Sequence, residues 1–207
     1  TPLLNFENCS FGGLYTNEWV KGGPRNDSNS TVEVYHFQGD WQGLTMTSQK
    51  MIINNLTIPT LEADLHSRFP LSRLNEIMQT EALSLTAGSG KLDLNYNGPL
   101  DKITPQNASL NGLLHIENGN ILMRASQSNL SNCHAAIRFR NADLIIDTLT
   151  CKIHNDELRF RGEAKNALAL LGDAAGGLSL TLDISAPVLN LAQVSSILSR
   201  KFPTKAK

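Results

Sequence analysis

The chain has no surplus of positive charge. Lys and Arg total 18 against 19 Asp and Glu, giving a net charge of -1 and a pI near 6.5. No excess cation is left to neutralise phosphates, which excludes an electrostatic nucleic-acid footprint. Aromatic residues are only 6% of the sequence, so stacking platforms for bases or sugars are not expected. Cysteine is equally scarce. Three residues, Cys9, Cys133 and Cys151, are an odd number and far below a disulfide scaffold. Apolar runs are short, such as Leu144-Ile145-Ile146 and Leu168-Ala169-Leu170-Leu171. None approaches the roughly 18 to 20 residues of a membrane span. No secretory signal pattern is present. The start at Thr1 fits either a processed chain or a piece of a longer one, and leaves the compartment open.

Catalytic fingerprints are missing too. There is no G-x-S-x-G elbow, P-loop, H-E-x-x-H or G-x-G-x-x-G. The five histidines, His36, His66, His115, His134 and His154, are scattered through strand and helix patterns. Asp93 and Asp183 alternate with apolar neighbours and read as solvated, and Asp156-Glu157 lies at a turn. No carboxylate pair sits in the apolar setting that glycoside cleavage requires. Six N-x-[ST] sequences occur, which chance explains in so Asn-rich a chain.

What the sequence has is alternation and asparagine. Hydrophobic residues make up 41%, and there are 20 Asn, a residue that favours turns and tolerates left-handed backbone. Residues 1–30 are polar and punctuated, and read as a partly mobile segment. Residues 31–198 read as a single β-rich domain, and 199–207 as a basic tail. Val32, Val34 and His36 alternate with Glu33, Tyr35 and Phe37, and Leu44, Met46 and Ser48 with Thr45, Thr47 and Gln49. Leu71, Leu74, Ile77 and Met78 make one helical stripe after Pro70. Gly88-Ser89-Gly90 then resets the chain ahead of Leu92, Leu94 and Tyr96. Asn118-Gly119, between apolar-rich arms, predicts a hairpin turn with two positive-φ residues. Further strands are expected over 135–140, 143–154 and 158–161, and the strictest alternation is Leu178, Leu180, Leu182 and Ile184. Short helices are expected over 166–172 and around Leu191, Val194, Ile197 and Leu198. The fold expected is mainly β: a curved antiparallel meander forming a groove or half-barrel, with two or three short helices.

One local cluster invites chemistry, Cys133-His134 with Cys151-x-x-His154. Adjacent strand residues point to opposite faces, so a zinc site is not expected. A turn centred on Ala142 places Cys133 opposite Cys151. These two are candidates for a disulfide in an oxidising compartment, and two reduced thiols are the alternative. An enzyme of unrecognised type would draw on His134, His154 and Asp156. The larger signal is an aliphatic face: Leu92, Leu94, Leu114, Ile116, Ile137, Phe139, Leu144, Ile146, Leu158, Phe160, Leu180, Leu182 and Ile184. It is either the closed core of a sandwich or barrel, or a groove that shelters acyl chains.

The passage 111–119, NGLLHIENG, resembles a recurring strand pattern, and IRFRNADLII at 137–146 its sequel. FRGEA at 160–164 and DISAPVLNL at 183–191 continue the succession, and NNLTIP at 54–59 fits the same layout. In this order they resemble the C-terminal region of AsmA-like proteins of Gram-negative envelopes, over roughly residues 45–198. The resemblance implies a periplasmic domain whose parent protein is anchored in the inner membrane by a segment absent from this chain. It implies a curved sheet with a hydrophobic concave side, related to bridge-like lipid transfer proteins. Lipid movement between the two membranes, or outer-membrane assembly, is the implied function. Phospholipid acyl chains are the implied partners, together with envelope proteins. No catalysis, cofactor or metal is implied, and the aliphatic face above becomes the candidate lipid groove. The alternative is a closed β-sandwich that binds another protein without a ligand.

Overall fold

A computed structural model describes residues 5–78, 83–101, 107–124, 127–141, 143–153, 156–165 and 179–186. Ten strands form one open antiparallel sheet in which spatial order equals chain order. They are β1 (Glu7–Thr16), β2 (Thr31–Trp41), β3 (Leu44–Asn54), β4 (Thr60–Pro70), β5 (Leu83–Pro99), β6 (Ser109–Met123), β7 (Ser128–Arg140), β8 (Asp143–Ile153), β9 (Asp156–Lys165) and β10 (Ser179–Ser185). A 3₁₀ turn (Leu71–Arg73) runs into the single described α-helix, α1 (Leu74–Met78). The helices expected over 166–172 and after Leu191 lie outside the described residues. The mainly β, meandering fold is therefore present. The closed-sandwich alternative is not, because all ten strands belong to one unclosed sheet.

The register places two largely apolar rows on one face, a short one from β4 to β6 and a long one from β5 to β10. Ala63 pairs with Tyr96, Tyr96 with Leu110, Leu92 with Leu114 and Leu114 with Ile137. Ile137 pairs with Ile146, Ile146 with Gly162 and Gly162 with Leu182. A flat single-layer sheet would leave such a face in water. Here Leu44 and Met46 are only 1% and 2% exposed. The face is covered by its own curvature, and Phe6 before β1 and Phe139 in β7 pack against the same buried cluster. The α1 segment covers part of the rest. Leu71 is fully buried, and Leu74 and Ile77 pack on the cluster. The Asn75 side chain locks α1 to β5 by accepting from Leu85 N and donating to Leu85 O, both at 2.8 Å.

β-Bulges supply the curvature, since an extra residue bends the bulged strand and raises its twist. Register shifts occur in β5–β6 between Leu85 and Ser89, and in β6–β7 around Gly119. They recur in β7–β8 near Asn132 and in β8–β9 between Ile146 and Leu149. Five of the eight described non-glycine residues with positive φ are Asn: Asn8, Asn55, Asn118, Asn132 and Asn141. Asn118-Gly119 is thus not a hairpin turn. β6 runs unbroken from Ser109 to Met123, and only Asn118 is left-handed, with φ 52°. A type I′ turn needs two such residues, whereas a bulge needs one.

Two further expectations are corrected. Gly88-Ser89-Gly90 does not reset the chain but lies inside β5, with Gly88 at φ 103°. The alternation in β2 breaks at His36 (φ 50°), so His36 is exposed and Phe37 buried. Within the polar N-terminal segment, residues 7–16 form the edge strand β1 on β2. The loop after it is pinned by buried Asn29, whose side chain accepts from Val20 N (2.8 Å) and donates to Pro24 O (3.0 Å).

Candidate functional site

The candidate site is the concave apolar face. Between β2 and β7 it encloses a cavity of about 190 Å³. Trp41, Leu44, Leu74, Leu94, Leu110 and Phe139 are among its walls. Three lining residues carry polar side-chain atoms, Trp41, Tyr96 and Asn141. The Tyr96 hydroxyl is already committed, donating to Pro99 O at 2.5 Å, and burial pushes its pKa up. An apolar cavity of about 150 Å³ stays dry and accepts a benzene-sized molecule. At about 190 Å³ this one has room for an apolar group of that size and not for a whole lipid.

All thirteen residues of the predicted aliphatic face fall within β5 to β10. Leu92 and Leu94 lie in β5, Leu114 and Ile116 in β6, Ile137 and Phe139 in β7, and Leu144 and Ile146 in β8. Leu158 and Phe160 lie in β9, and Leu180, Leu182 and Ile184 in β10. Eight of them stand directly in register with one another: Leu92 with Leu114, Leu114 with Ile137, Ile137 with Ile146, Phe139 with Leu144, and Phe160 with Ile184. Their cover is uneven. Leu92 and Leu158 are buried, Leu94, Leu114, Ile137 and Ile146 are half-buried, and Leu182 is 38% exposed. Among the described residues the face is thus shut near β3–β5 and least covered at β10. Sequence reasoning missed the shut end, which belongs to β3, β4 and the aromatic residues Phe6, Trp41 and Phe69.

A second buried cluster contains Cys133 and Cys151, with Leu130, Ile153 and Leu158. Both cysteines are free thiols, 0% and 1% exposed. The two-residue turn that sets Arg140 against Asp143 would by itself put Cys133 opposite Thr150. The extra residue of β8 near Asp147 moves the partner to Cys151. The Cys133 thiol donates to Leu130 O at 3.6 Å. Its interaction with the Cys151 thiol holds Cys133 below the ordinary thiol range, and together with burial pushes Cys151 up. His134 points away on the exposed face, where its Nε2 lies 3.2 Å from Asn132 Oδ1. His154 lies outside the described residues, so the His134, His154 and Asp156 cluster is not assembled by what is described. No group of three or more metal-ligating side chains occurs among the described residues.

The opposite face is polar and laced with ion pairs: Lys50–Glu33 (2.9 Å), Lys91–Asp93 (2.7 Å), His66–Asp93 (2.8 Å) and Arg138–Asp147 (2.5 Å). Lys91 and then His66 lower the Asp93 pKa, and Arg138 lowers that of Asp147. The sheet is therefore two-sided in chemistry: wet on the outside, aliphatic on the inside.

No family model matches the chain, and neither a curated protein nor a solved structure matches it. The likeness to AsmA-like proteins rests on strand patterns alone. No helix among the described residues is long and apolar enough to cross a membrane.

Proposed function

We propose that the concave face shelters lipid acyl chains, as part of an AsmA-like envelope protein. The chain then supports phospholipid transport or outer-membrane assembly without catalysis. In this reading the domain faces the periplasm, and an inner-membrane anchor lies elsewhere in the parent protein. The supporting observation is the continuity of the apolar row from β5 to β10, which among the described residues is least covered at β10. Each CH₂ removed from water contributes about 0.8 kcal/mol. A row without polar interruption offers that gain at every step, so a chain can shift along it without a deep well. The head group would stay at the open rim, in solvent.

The test is native mass spectrometry of protein exported to a bacterial periplasm, with lipid extraction. Bound phospholipid that disappears in Ile146→Asp and Leu182→Asp, with the sheet intact by circular dichroism, supports the reading. A clean protein mass and no extractable lipid would overturn it.

A further inference from the structure

Cys133 and Cys151 face each other through a β-bulge. In β7–β8, His134 pairs with Thr150 and Ser131 with Lys152, so two residues, Asn132 and Cys133, stand against Cys151 alone. Asn132 is left-handed, with φ 51°, and its Oδ1 lies on the exposed face beside His134 Nε2. Cys133 is the inward residue of the two. Both cysteines are shut into one apolar cluster, at 0% and 1% exposed. Away from each other, Cys133 pairs with Gly119, which has no side chain, and Cys151 with Leu158. Facing residues of an antiparallel pair lie about 4.5–5.5 Å apart at Cα, inside the range of about 4.4–6.8 Å that a disulfide spans. Packing alone asks here for small apolar side chains, not for two interacting sulfurs.

We propose that Cys133 and Cys151 join as a cross-strand disulfide when the chain folds in the presence of a disulfide oxidant such as oxidised glutathione, and that the finished sheet then seals the bond. The structure holds the reduced form of this pair. In the first step one cysteine, as thiolate, attacks a sulfur of oxidised glutathione, releasing one glutathione and leaving a mixed disulfide. In the second the other cysteine, as thiolate, attacks the protein sulfur of that mixed disulfide and releases the second glutathione. The cysteines give up two electrons and two protons, and one oxidised glutathione becomes two reduced ones. Neither step fits the folded sheet, where both sulfurs are out of reach of glutathione. The exchange belongs to folding, before β7 and β8 close, and its reversal needs the same opening. The pair thus records the redox conditions under which the chain folded. This holds whether or not the apolar face carries lipid.

In the whole chain, Cys9→Ser removes the exposed thiol. This protein, unfolded and reduced in urea, is refolded either with excess oxidised glutathione or with reductant, and read by intact mass and peptide mapping. Refolding with oxidised glutathione is expected to give a monomer lighter by two hydrogen atoms, with Cys133 linked to Cys151. The same oxidant added to protein already folded and reduced is expected to form the bond at least about tenfold more slowly. Once formed, the bond should survive dithiothreitol in the folded chain and be cut in urea. The unsubstituted chain, refolded and mapped in the same way, should show the same link. A dithiol after refolding with oxidised glutathione overturns the proposal. So does glutathione retained on a single cysteine, or a link to Cys9 in the unsubstituted chain. Equal rates of bond formation in the folded and unfolded chain would overturn the sealing.

Discussion

Gly88 and Gly119 meet so closely across β5 and β6 that a Cβ on Gly88 would lie 2.6 Å from the Gly119 Cα. Two bulged strands touch backbone to backbone here, and Leu71 seats on the far side of Gly119.

Gly88→Ala is therefore expected to cost more than about 2 kcal/mol, because it adds a backbone clash to a φ of 103°. Gly12→Ala is the control, since its Cβ would meet only Tyr35 O at 3.9 Å. Urea denaturation of both variants checks the difference. Equal midpoints would mean that the contact does not shape the sheet.

Leu44→Ala is expected to cost about 2–5 kcal/mol, as for a side chain in a closed core. Leu182→Ala, at the open end, is expected to cost less than about 1 kcal/mol. The contrast tests whether a sheet with no second layer curls shut over β3 and stays open at β10. Similar losses in denaturant unfolding would speak against the curl.

The three thiols should react unequally. Cys9 is exposed, while Cys133 and Cys151 are buried free thiols. Iodoacetamide followed by intact mass should give one adduct on the native, reduced chain and three after unfolding in denaturant. One adduct in both states would mean that Cys133 and Cys151 are joined as a disulfide.

Asp147 should confer acid sensitivity. Arg138 lowers its folded pKa below the ordinary value of 3.8. Near that value the unfolded chain binds more protons than the folded one, so this contribution is complete above pH 3.8 and fades as pH falls through the lower, folded value. Asp147→Asn should lose stability at pH 7 relative to the wild type, and the gap should narrow toward pH 3. Denaturation midpoints at the two pH values measure it. A gap independent of pH would assign the loss to packing instead of charge.

The half of the sheet from β5 to β10 was legible because its strands keep period two with aliphatic residues. That is why Leu92, Leu114, Ile137, Ile146 and Leu182 share a face as expected. β4 was equally legible in principle, since Leu61, Ala63, Leu65, Ser67 and Phe69 alternate and are all buried. It escaped because Ala63 and Ser67 dilute the apolar signal. β1 escaped for a different reason: an edge with Gly12 and Gly13 has no buried face to impose a period. The bulges were not legible at all. A left-handed Asn serves a turn and a bulge equally well, so Asn118 read as the end of a strand that in fact continues. At His36 the extra residue reversed the apparent inside and outside of the rest of β2.

Among the described residues every strand bonds only to its chain neighbours, so no strand pairing there spans more than one connection. Mechanically, such a sheet is a zipper. Held by its two ends under tension, it would release strands singly, peeling one row of hydrogen bonds at a time instead of shearing many at once. The terminal strands of the described sheet would yield first, and the strands beneath α1 last.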